Sequence, residues 1–266
     1  MEGAIEILLA ERDRRRERSA REIADSIIEA LTAVERGSAG VDGDIDNKRE
    51  QLGDKLRRRI AKREREAFAR VQNLYRHDEL EREEDVAEIL DTDLFTTDNW
   101  EVFGLSRNQL AMTGALSGAA AGGGVDLALG GTSLLLGAGI GAAIGGASGW
   151  WATGELARVK TIVGPLGGRV VQVGPVTAKN FPWVLLGRAW LHHGLIAERN
   201  HAHREAVVVS VSNDTHLMNA VPGEIRKSLA AVFQRLSRGN ADEDTRARLV
   251  QLIEQLLAIP AGSDGP

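Results

Sequence analysis

Residues 108–154 read NQLAMTGALSGAAAGGGVDLALGGTSLLLGAGIGAAIGGASGWWATG, a stretch with one charged side chain, Asp126. Glycine recurs every four positions in two runs: Gly114, Gly118 and Gly122, then Gly137, Gly141, Gly145 and Gly149, with Ser133 extending the second run backward. Positions four apart share a helix face. A stripe without side chains lets two helices approach closely and gain dispersion and Cα–H···O contacts. Each glycine in a water-exposed helix costs about 1 kcal/mol relative to alanine, so a register of this kind is a heavy penalty unless close packing offsets it. The spacing predicts a glycine-zippered helical hairpin with its tip near residues 124–132.

Arms of about 18–20 residues are roughly 27–30 Å long, close to the hydrocarbon thickness of a bilayer. The flanks agree with a membrane hairpin whose two ends lie on the cytoplasmic side. Arg107 precedes the first arm, Arg158 and Lys160 follow the second, and the tip has no Lys or Arg. Trp100, Trp150 and Trp151 stand where an interfacial aromatic belt would sit. The first arm is weakly apolar: Leu110, Met112, Leu116 and Val125 together favour insertion by only about 2 kcal/mol. Leu134, Leu135, Leu136, Ile140 and Ile144 make the second stronger. The competing reading is a soluble helical scaffold or oligomerisation domain with the hairpin buried as its core. Asp126 reads as a turn or cap residue.

Working toward the N-terminus, Ile23, Ile27, Ala30, Leu31 and Val34 recur at helical spacing and predict an amphipathic helix over residues 4–36. Gly37, Gly40 and Gly43, with Ser38 and Asp42, end it. Leu52, Leu56, Ile60, Ala67, Val71 and Leu74 line a second helix over residues 46–84. Two charged, narrow-striped helices joined by a short turn predict an antiparallel hairpin or coiled coil. The second carries a dense basic stretch, Lys55, Arg57, Arg58, Arg59, Lys62, Arg63 and Arg65. Two readings stand for it: contact with anionic lipid headgroups, or a solvated face paired with the acidic run 78–93.

After residue 155 the pattern becomes that of a small α+β region. Strands are expected at 159–163 and 169–173 around the turn GPLGG, and at 206–211, AVVVSV. Helices are expected at 181–200, with Pro182 in the first turn, at 223–238 and at 242–258, followed by a frayed tail. His192, His193, His201 and His203 cluster in HHGLIAERNHAH. The pairs do not share one helical face, so surface or partner-contacting histidines are expected and no metal site is assigned.

The whole is mainly α with a small β element, in three parts: a charged helical arm, 1–107; the glycine-zipper hairpin, 108–154; and the α+β region, 155–266. Residues 1–107 hold 20 Lys+Arg against 27 Asp+Glu, a net of −7 within an overall −5. An acidic chain lacking interleaved aromatics argues against nucleic acid as a partner. The absence of cysteine excludes disulfides and thiol chemistry. There is no GxxxxGK[ST], HExxH or GxSxG motif. No catalytic residue, cofactor or metal is therefore assigned. The N-terminus does not read as a signal peptide, because its apolar run is short and charges follow it.

Two stretches, DLFTTDNWEVFGLSRNQLAMTGALSGAAAGGGVDLALGGTSLLLGAGIGAAIGG (93–146) and VGPVTAKNFPWVLLGRAWLHHGLIAERNHAHR (173–204), resemble the C-terminal region of a bacterial family that carries an Era-like GTPase domain ahead of it. That region is a domain of unknown function. The resemblance covers roughly residues 90–205 and implies a module that accompanies a GTPase and anchors it to the cytoplasmic face of the inner membrane. The GTPase half has no counterpart here, so no residue takes a nucleotide-binding role. The implied partners are membrane lipid and a GTPase domain in cis or in trans; separately, a second copy of the chain is expected as a partner.

Overall fold

A computed structural model describes residues 2–39, 44–75, 94–95, 103, 157–163, 169–199 and 217–259. The glycine hairpin, the 206–211 strand, most of the 85–107 connector, the second helix beyond residue 75 and the C-terminal tail lie outside the described residues.

Helix α1 spans Glu2–Thr32, ending before the expected residue 36; of its expected stripe, Ile23, Ile27, Ala30 and Leu31 are buried together with Ala20 and Ala24, whereas Val34 falls in the link to the next strand and is half-buried. Helix α2 spans Ile45–Leu74. The Asp44 carboxylate caps it, accepting from the amides of Asp46 and Asn47 at 2.9 and 3.0 Å and so satisfying donors that the first turn cannot. Leu52, Leu56, Ile60, Ala67 and Val71 form its buried stripe.

Between these helices the expected glycine turn begins as a strand, β1, Glu35–Ala39. It pairs antiparallel with β3, Arg169–Val176, whose other edge carries β2, Ala157–Val163. The sheet order is β1-β3-β2. One face of the sheet meets α1 and α2 through Val171 and Val173, both essentially inaccessible. The paired positions Arg36, Gln172 and Lys160, and Ser38, Val170 and Ile162, form two rows on the opposite face.

Helix α3, Phe181–Arg199, is buried on all sides from Phe181 to His193, as expected of a helix apolar all round. It packs against α1, α2 and helix α5, Glu243–Leu257. A 3₁₀ turn, Leu217–Ala220, and helix α4, Gly223–Ser237, complete the described elements. Trp190 donates its indole N–H to the Ile259 carbonyl at 3.1 Å, and Trp183 meets Phe233 edge-on at 5.0 Å. α1 and α5 join through a two-pronged Asp25–Arg246 pair at 2.7 and 2.9 Å. One hydrophobic core runs through all of these elements.

Candidate functional site

Helical geometry divides the basic stretch of α2 into three directions. Lys55, Arg59 and Arg63, four positions apart, face the acids of β1 and α1. Lys55 Nζ lies 2.8 Å from Glu35 Oε2. Arg59 reaches Glu35 at 3.4 Å and Glu29 at 3.2 Å, and Arg63 reaches Glu29 at 3.0 Å. Arg70 continues the row to Glu22 at 2.8 Å. Burial opposes ionisation of Glu35, but the hydrogen bonds and charges of Lys55 and then Arg59 outweigh it and hold its carboxyl below the ordinary range. Among the described residues the acidic partners of this row are thus Glu22, Glu29 and Glu35; the run 78–93 lies outside the described residues.

Arg57 takes a second direction, its guanidinium 5.1 Å from the centre of the Phe95 ring and 3.9 Å from Asp54. Asp54, Arg57, Arg58, Ala61 and Phe95 line a shallow cleft of about 270 Å³. Arg58, Lys62 and Arg65 take the third direction, outward, and are exposed. Lys62 makes a loose pair with Glu66 at 3.7 Å.

A polar seam between α2 and α3 went unrecognised in the sequence. Arg188 and Glu64 form a bidentate ion pair, Nε to Oε1 at 2.8 Å and Nη2 to Oε2 at 3.2 Å, with both side chains buried. Burial pushes the Glu64 carboxyl up, against the opposing pull of the Arg188 charge and hydrogen bonds. The signal was present: LLGRAWL places one arginine inside an apolar helix, and a buried arginine requires a partner.

One turn further along α3, the His192 ring stacks on Phe68 with centroids 4.2 Å apart. His193 Nε2 shares a hydrogen bond of 2.8 Å with the Tyr75 hydroxyl. The expectation of surface or partner-contacting histidines is therefore corrected for this pair, because α3 is enclosed where they sit. His201 and His203 lie outside the described residues. Among the described residues no group of His, Asp or Glu is placed to hold a metal ion.

Burial, followed by the neighbouring His193 and Arg188 charges, lowers His192 to about 3; burial and Arg16 lower His193 to about 4. Folding thus holds both imidazoles neutral, below their unfolded value near 6.5. Their contribution to stability is complete above that value and is lost as pH falls toward 4. Each buried imidazole adds a slope of about 1.4 kcal/mol per pH unit in this window. Urea titrations at pH 7, 6 and 5 should show this acid limb, and His192→Gln should roughly halve its slope. An unchanged slope would mean that His192 protonates freely in the folded chain.

Among the membrane-interface candidates, Arg158 and Lys160 are exposed on β2. Trp100, Arg107, Trp150, Trp151 and the seven zipper glycines from Gly114 to Gly149 lie outside the described residues. Among the described residues, no helix is long and apolar enough to cross a membrane.

The described architecture is mainly helical with one small antiparallel sheet. Residues 1–258 match the family model for a domain of unknown function, DUF3482, and the chain belongs to this family. No curated protein and no solved structure matches it.

Proposed function

We propose that the chain is a non-catalytic, membrane-associating module, the anchoring or effector part of a bacterial GTPase system acting at the cytoplasmic face of the inner membrane. The observation that carries this reading is residues 108–154, which hold one charged side chain and two four-residue glycine registers. A segment of that composition loses little by leaving water, and its glycine stripes suit close pairing of two helices in lipid. The GTPase link is supported by the resemblance of residues 93–146 and 173–204 to the region that follows such a domain.

Flotation with liposomes tests the anchoring. The intact chain should rise with vesicles, and a chain lacking residues 108–154 should stay at the bottom of the gradient. Equal flotation of both would remove the anchoring role. An intact chain that stays unbound and self-associates would favour the scaffold reading instead. Gly118→Leu with Gly141→Leu should weaken vesicle binding at least several-fold, because the added side chains hold the arms apart.

A further inference from the structure

The sheet face turned away from α1 and α2 has a one-sided chemistry. Its first cross-strand row is Arg36, Gln172 and Lys160, and its second is Ser38, Val170 and Ile162. Arg36 and Lys160 are exposed, and Arg158 is exposed at the irregularity where β2 begins to pair. Arg36 Nε donates to Gln172 Oε1 at 2.9 Å, which orients its guanidinium across the central strand. Ile162 is 54% exposed. The one carboxylate among the described sheet residues, Glu35, lies on the opposite face, bound by Lys55 and Arg59.

Two neighbouring strand spacings of about 4.8 Å put Arg36 and Lys160 roughly 10 Å apart. Among the described residues the face is therefore cationic, free of carboxylates and tipped with the exposed Ile162. Residue 157, where β2 starts, follows the end of the apolar segment 108–154 by three positions, a chain length of roughly 10 Å at most.

We propose that this outer sheet face, through Arg36, Arg158, Lys160 and Ile162, docks on an anionic lipid surface beside the point where segment 108–154 enters it. The inference rests on the membrane reading above and specifies which surface of the folded part meets the headgroups. The three cations face lipid phosphates, and Ile162 enters the interfacial layer. The outward cations of α2, Arg58, Lys62 and Arg65, occupy another face and take no part.

The test is co-sedimentation of the full chain with phosphatidylcholine vesicles, with or without 30 mol% phosphatidylglycerol, in about 0.1 M salt, where charges still act over roughly 10 Å. The intact chain should prefer the anionic vesicles. Each cation near the surface corresponds to about a fivefold gain in partitioning, so Arg36→Gln/Arg158→Gln/Lys160→Gln should lose most of that preference, up to about 100-fold. Lys160→Gln alone should lose about fivefold and guards against misfolding of the triple variant, with thermal melts checking both. Ile162→Ser should weaken binding to both vesicle types. Neutralising Arg58, Lys62 and Arg65 should leave the preference intact. Wild-type binding that ignores phosphatidylglycerol overturns this inference and leaves the anchoring role standing, as does full binding by the triple variant or loss in the α2 variant. Failure of the intact chain to bind either vesicle overturns both.

Discussion

Glu64→Ala should destabilise the folded chain by about 3–5 kcal/mol, measured as a drop in the urea midpoint at pH 7 with an unchanged m-value. Glu64 and Arg188 are both buried and joined by two hydrogen bonds. Removing the carboxylate takes two charge-assisted hydrogen bonds from a guanidinium that stays charged in the core. The centre of the Phe103 ring lies 5.9 Å from it, a cation–π contact weaker than either of the hydrogen bonds lost. Removing both charges has a different outcome. Glu64→Leu with Arg188→Met should cost far less than either single change, because a buried pair roughly balances its own desolvation. A single-variant loss below about 1 kcal/mol would show that water or another side chain takes over the charge.

Gly174→Ala should cost about 2–4 kcal/mol, combining a left-handed backbone with a clash that has no outlet. Gly174 has φ +105°, and a Cβ there would lie 2.3 Å from the Ala33 carbonyl oxygen and 3.1 Å from the Val34 Cα. These are backbone atoms between α1 and β1, so relief requires the strand itself to move. Gly239 supplies the comparison: its φ is +89°, yet nothing lies within 4 Å of an added Cβ. Gly239→Ala should therefore cost only the backbone part, about 1 kcal/mol. Equal losses at the two positions in parallel urea titrations would contradict close packing of β3 against the α1–β1 junction.

Much of the helical fold was legible because its signals are local. The stripes of α1 and α2, Pro182 in the first turn of α3 and the boundaries of α4 and α5 follow from periodicity and capping. β1 was not legible. ERGSA has one alanine, a central glycine and two charges, which read as a turn. It becomes a strand because β3, more than a hundred residues later, offers its edge, and because Lys55 and Arg59 neutralise its buried glutamate. His192 and His193 were misplaced for a related reason. Polarity suggested the surface, whereas Phe68 and Tyr75, contributed by another helix, decide their burial. Of the candidate site, the apolar glycine segment was legible as composition, and the division of the basic stretch into three directions required knowing where Glu22, Glu29 and Glu35 lie.

The partnership of α1 with α5 has a consequence for synthesis. Ala20, Ile23, Ala24 and Ile27 leave the ribosome long before the helix that covers part of them is complete at Leu257. At translation speeds of about 5–20 residues per second, the nascent chain carries an unfinished apolar groove for roughly ten seconds or longer. Throughout that interval the Asp25 carboxylate also waits for Arg246, so closure of the core along the α1–α5 seam waits for synthesis of α5.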